Sequence, residues 1–139
     1  MTSEWNDNIE RTFAAAGVLA TTAGATFIWY FNPSNVNFLP VCPLYSMTGF
    51  ACPGCGLTRG FHALFHGDFL TALDYNALIP GFAVVLGFLF LSMLSVTVRG
   101  RGFGISMLSP KLLTGVLVVL LVFGVVRNLP MYPFSVLYP

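Results

Sequence analysis

All three cysteines and both histidines of this chain lie in one stretch, Cys42 to His66. Cys42-Pro43-Leu44-Tyr45 is followed, after a short connector, by Cys52-Pro53-Gly54-Cys55-Gly56-Leu57-Thr58-Arg59, then by His62 and His66. Two chemistries suit these residues. The first is thiol–disulfide exchange through Cys52 and Cys55. A helix beginning at Cys52, with Pro53 in its first turn, would aim unpaired N–H groups at a thiolate and lower its pKa. Arg59, a turn beyond Cys55, would act in the same sense, and Cys42 would be the resolving thiol. The second is metal binding. C-P-G-C-G matches a metal knuckle, whose turn brings two sulfurs to one ion and whose last glycine accepts a tight conformation. Cys42 would then be the third ligand and His62 or His66 the fourth, for zinc or iron. A chemically inert alternative stays open beside both. Two of three cysteines can pair to pin a loop, and the histidines can simply occupy a solvated helix face.

These residues must be positioned by a chain with little soluble character. Of 139 residues, 56% are apolar and 8% charged, against about 25% charged in a typical soluble domain. Lipid is therefore the expected solvent for much of it. A net charge of +1 with scattered basic residues excludes a nucleic-acid surface. No paired carboxylates, nucleophile serine motif or glycine-rich phosphate loop is present, which argues against hydrolase and nucleotide-binding classes.

The expected architecture is a single all-α membrane domain over 1–139, with three transmembrane helices. Met1 to Arg11 reads as a polar exposed tail. The first span covers about 12–31, uncharged and long enough to cross a hydrocarbon core of roughly 30 Å. It is rich in small residues, with Trp29 and Tyr30 suited to the interface. The second span covers about 77–98. The third covers about 110–129, short unless its flanking charges, Lys111 and Arg127, snorkel. Between the first two, 38–76 forms a broken amphipathic helix hairpin lying in the interface. Leu57, Phe61, Leu64 and Phe65 share one helical face there, opposite Arg59, His62 and His66. Gly67 stops that helix and Asp68 caps the next, through about Tyr75. Asp74 and Asn76 flank the second span and mark the interface. The tail, with Tyr132, Phe134 and Tyr138, reads as an interfacial cap.

Basic residues set the orientation. With the N-terminus inside, Arg11, Arg99, Arg101 and Lys111 lie on the inner side, against Arg59 and Arg127 outside. The cysteine loop and the C-terminus are then extracytoplasmic, where oxidising conditions suit thiol chemistry.

Cys42-Pro43, Thr48-Gly49, Cys52 through Arg59, Gly67-Asp68 and Arg127-Asn128-Leu129-Pro130 together resemble an uncharacterised family of small bacterial membrane proteins. Its signature is C-P-x-C-G-L-T-R. The resemblance implies a bacterial inner-membrane protein and no particular reaction. C-P-G-C-G is also similar, over five residues, to rubredoxin-type knuckles. A looser similarity is to membrane enzymes that pass electrons from a C-x-x-C to quinone, although those carry more spanning helices and two cysteine pairs. The leading expectation is a structural or accessory subunit, embedded in the lipid bilayer and packed against other membrane subunits. Arg59, Asp68 and Arg127 hold its loop. A thiol–disulfide protein ranks next, then a Cys3His metal protein. Whether the chain is an enzyme is left open.

Overall fold

The structure, a computed structural model, describes residues 2–33, 42–103 and 109–132. Among them it is all-helical: α1 (Thr2–Tyr30), α2 (Pro43–Thr48), α3 (Leu57–Phe65), α4 (Phe69–Tyr75), α5 (Ile79–Arg99) and α6 (Pro110–Val126). Two helical segments are long and apolar enough to cross a membrane, Asp7–Tyr30 and Ile79–Arg99; Pro110–Val126 is apolar but shorter. At 17 residues it rises about 25 Å.

Several expectations change. The N-terminal residues are not a tail, because α1 starts at Thr2. Its threonines return their hydroxyls to the carbonyl four residues back, as Thr12 does to Asn8 at 2.8 Å. That exchange lets polar side chains sit in a helix without exposing further donors. The connector after Cys42 holds a helix that the sequence reading did not contain, α2. Pro43 opens it, and Gly49 closes it at φ 74°. The third apolar segment stops at Val126; of the three residues predicted beyond it, Arg127 and Asn128 form a turn, with the Asn128 and Leu129 N–H groups bonded to the Val125 and Val126 carbonyls at 3.1 Å. Most of the 32–40 loop, and Phe134 and Tyr138 of the tail, lie outside the described residues. Tyr132 is exposed.

The chain divides into two compact units. The first comprises Met1–Phe27 and Gly81–Leu108. Here α1 and α5 run antiparallel. Gly17 faces the Met93 sulfur, which a Cβ would approach to 2.7 Å, and Gly100 faces the Arg11 guanidinium. The small residue at position 17 is thus what admits the Met93 side chain.

The second unit comprises Ile28–Pro80 and Ser109–Pro139. Its nucleus is the α3–α4 hairpin, broken at Gly67 (φ 82°) as expected. Asp68 caps α4 by accepting the Thr71 N–H at 3.1 Å, and the Thr71 side chain first, then that N–H, hold its carboxyl below the usual carboxylate range. Ala63, Ala72 and Ile79 form a small core, with Leu57 and Leu64 packed against it. Gly60 is part of the same fit, since a Cβ there would collide with Ile79. Of the predicted apolar face, Leu57 and Leu64 are therefore half-buried against this core, whereas Phe65 stays exposed.

Candidate metal centre

The cysteine loop is built from turns, not from a helix start. The Cys55 N–H bonds the Cys52 carbonyl at 3.0 Å, and the Leu57 N–H bonds Gly54 at 3.1 Å. Only then does α3 begin, with Gly56 as N-cap at φ 85°. A Cβ on Gly56 would meet the Tyr75 carbonyl oxygen at 2.3 Å. Glycine is required there twice over, for its dihedral and for the close approach. This corrects the expectation that Cys52 caps a helix with Pro53 in its first turn. Cys55 sits in the turn before α3, so the helix-terminus argument for its activation does not apply.

The turn performs the other predicted task. It places the Cys55 sulfur 3.1 Å from the Cys52 sulfur and 3.1 Å from the Cys52 N–H, which donates to it. Cys42, brought back by α2, lies 3.3 Å from Cys52, sulfur to sulfur. All three sulfurs fall within 4.8 Å of one another, and each residue is half-buried and free of disulfide bonding. A disulfide would need about 2.05 Å. The inert pairing held open by the sequence is therefore not what the structure contains.

The electrostatics are uneven. The Cys42 thiol is lowered from 9.0 to about 7, first by the main-chain N–H of Tyr45 in α2 and then by the Cys52 thiol. The helix-start effect that the sequence assigned to Cys52 thus falls on Cys42. Burial first, and then the neighbouring Cys52 and Cys42 thiols, together push Cys55 up to about 12.

Behind the sulfurs, three side chains hold the loop by its carbonyls. Asn76, 1% exposed, donates from Nδ2 to Pro53 at 2.8 Å and Cys55 at 3.1 Å. Its Oδ1 accepts the Leu78 N–H at 2.9 Å. Arg127, fully buried, donates from Nη1 to the Cys52 carbonyl at 2.8 Å and the Cys55 carbonyl at 3.1 Å. Its guanidinium lies 5.1 Å from the centre of the Phe123 ring. Asn128 pairs with the main chain of Ala51, accepting its N–H and donating to its carbonyl, both at 2.8 Å. Gly124 lets α6 approach closely, with Pro53 only 3.1 Å from where a Cβ would stand.

Arg127 thus turns to the loop carbonyls instead of to water, and Asn76, expected to flank the second span, also holds the loop. A guanidinium on two carbonyls gains charge-assisted bonds, and burial of so large a polar group is tolerable only with such partners. Asn76 carried one usable signal, an isolated amide between two apolar stretches. Its partners are 21 and 23 residues away in the chain, beyond any local pattern.

The histidines do not join the sulfurs. His62 directs Nδ1 to the Ile28 carbonyl at 2.6 Å, and His66 directs Nδ1 to the His62 carbonyl at 2.8 Å. Arg59 is exposed. The predicted Cys3His set is therefore gathered only as far as its three cysteines.

Three thiols in one cluster fit a soft or borderline ion. With Zn–S about 2.3 Å, sulfurs around one tetrahedral ion lie roughly 3.8 Å apart. The present spacing accommodates that with sulfur shifts of a few tenths of an ångström, which cysteine rotamers absorb. Sulfurs this close suit a single ion; a cluster with each cysteine on a different iron would spread them further.

Residues 42–90 match a family described as a protein of unknown function (DUF2752). The matched segment runs from Cys42 through the α3–α4 hairpin into α5, so it contains all three cysteines and Asn76, whereas Arg127 lies beyond it. No curated protein and no solved structure matches the chain.

Proposed function

We propose that this chain is an integral membrane protein that holds one thiolate-bound metal ion through Cys42, Cys52 and Cys55. The observation that carries the reading is the convergence of three sulfurs from two separate loop segments, with no pair bonded. Deprotonated together, they would repel one another without a cation between them. The buried Arg127 guanidinium behind Cys52 and Cys55 offsets the negative charge that three thiolates bring to a divalent ion. Zinc or iron suits the donor set, and the ion acts to fix the loop. Three sulfurs leave a tetrahedral ion one ligand short. A group from a partner subunit or a water molecule fills that position, which fits a small accessory subunit of a larger membrane complex.

In this reading α1, α5 and α6 all span the membrane. The shorter α6 is accommodated by local thinning of the bilayer. The N-terminus lies inside, following the basic residues of the 99–111 loop, and the cysteine loop faces outward at the surface of a bacterial inner membrane.

The uneven thiols favour one second reading. Cys42, its pKa lowered to about 7, would attack a partner's disulfide, forming a mixed disulfide and expelling the partner's thiolate. Cys52, 3.3 Å away, would then displace the partner's other sulfur. A Cys42–Cys52 disulfide and a reduced dithiol partner would result, with atoms and electrons balanced.

Native mass spectrometry separates the two. The protein is purified in detergent without reductant or chelator, and free thiols are alkylated. The metal reading expects one added metal mass and no alkylation. A mass short by two hydrogens with one alkylated cysteine would replace it with the redox reading. Three alkylated cysteines and no metal would remove both.

A further inference from the structure

The two histidines left out of the thiolate cluster are built alike. His62 Nδ1 faces the Ile28 carbonyl at 2.6 Å and His66 Nδ1 faces the His62 carbonyl at 2.8 Å. A carbonyl oxygen only accepts, so in each neutral ring Nδ1 bears the hydrogen and Nε2 bears the lone pair. That is the tautomer of a metal-ligating histidine whose other ring N–H is fixed on a main-chain carbonyl.

The pair is also spaced for one ion. Histidines four apart at a helical turn share one side, the spacing by which a helix chelates zinc. Their ring centroids lie 4.4 Å apart at 42°. With metal–nitrogen bonds of about 2.0–2.1 Å, two imidazoles on one ion have centroids roughly 4.5–5 Å apart. The observed separation lies close to that range. His62 occupies the last turn of α3 and His66 is its C-cap, where the partial negative charge of the helix end favours a cation. Trp29 of α1 lies nearly parallel to the His66 ring, at 6.1 Å between centroids and 12° between planes. It restricts the turning of that imidazole.

We infer that His62 and His66 form a second metal-binding site, independent of the cysteines, for a borderline divalent transition ion of the Cu2+, Ni2+ or Zn2+ class. Imidazole suits such ions better than it suits the soft ions that prefer thiolates. Both donors are Nε2 atoms, and because His66 is exposed, water completes the coordination.

Ni2+ tests the site without oxidising thiols. The full chain in detergent first receives one equivalent of Cd2+ to occupy the cysteines, its uptake being read separately by mass. A Trp5→Phe background leaves Trp29 as the sole tryptophan. Ni2+ bound at His66 should quench Trp29 fluorescence in a saturable titration at one equivalent. His62→Gln should weaken that binding roughly tenfold or more with helical circular dichroism retained. His62 does not stack on Trp29, so the loss would report binding and not a lost ring contact. Absent quenching in the parent, or unchanged quenching in His62→Gln, overturns the site. Should that variant not fold, the unsubstituted chain decides. Ni2+ must slow diethyl pyrocarbonate modification of both histidine peptides, and an unchanged rate at either one overturns the site. Neither outcome depends on whether the cysteines hold a metal.

Discussion

At the scale of single residues, Cys42 and Cys55 differ because their neighbours differ. Thiolate is the reactive form, so reactivity follows each pKa. In metal-free protein, Cys42 passes from thiol to thiolate as pH rises through about 7, whereas Cys55 does so near 12. Iodoacetamide at pH 7 should therefore label Cys42 well before Cys55. The Cys42 rate should climb from pH 6 and level off above about 8, as mapped by peptide mass. Equal labelling of the two would refute the asymmetry. Arg127 is a positioning residue whose guanidinium holds the Cys52 and Cys55 carbonyls. Arg127→Gln should lower Co2+ affinity by roughly 10- to 100-fold while leaving the sulfur-to-cobalt charge-transfer band in place at saturation. Loss of that band would mean that the arginine is needed for the ligand set itself.

At the scale of elements, the knuckle works because α3 starts late. Gly56 ends the turn at φ 85° with the Tyr75 carbonyl pressed against it. Gly56→Ala should cost the left-handed penalty of about 1–2 kcal/mol plus a backbone collision, and should separate the loop from α4. Gly49 is the matched comparison, with φ 74° and open space where a Cβ would stand. Gly49→Ala should cost only the dihedral penalty. Thermal unfolding of both variants checks the ordering, and a Gly49 variant as damaged as the Gly56 one would contradict it. The α3–α4 hairpin was legible beforehand because Gly67 and Asp68 are local signals, each acting within one turn. The short α2 was not, since six residues opened by a proline carry too little periodicity to be distinguished from a connector.

At the scale of the molecule, an ion held by the three cysteines would be linked to folding through one of the two units. Cys42, Cys52 and Cys55, with their anchors Asn76, Arg127 and Asn128, all belong to the unit formed by Ile28–Pro80 and Ser109–Pro139. An ion that binds only the folded loop should stabilise that unit by about 2.7 kcal/mol at one hundred times its dissociation constant. Hydrogen exchange should therefore slow at Cys42–Asn76 and around Arg127 when Zn2+ is added, and recover on chelation. Amides of α1 before Phe27 should not respond. Uniform slowing along the chain would show that the ion acts elsewhere.

The sequence by itself determined what depends on composition and near neighbours. Eleven charges among 139 residues required apolar helices and Asp68 supplied a cap, whereas C-P-G-C-G suited a helix start and a knuckle turn alike. Local pattern ranked an accessory role first, thiol exchange next and a metal site last. Distances between groups far apart in the chain bear on that order and are not legible in it. Tertiary structure alone brought Cys42 to Cys52, turned both histidines to main-chain carbonyls, and buried Asn76 and Arg127 behind the loop. The physical reason is that a polar side chain carries no local sign of whether water or a distant carbonyl satisfies it. Arg127 at the end of an apolar run looks the same in either case, and only the folded chain supplies the carbonyls of Cys52 and Cys55 in place of water.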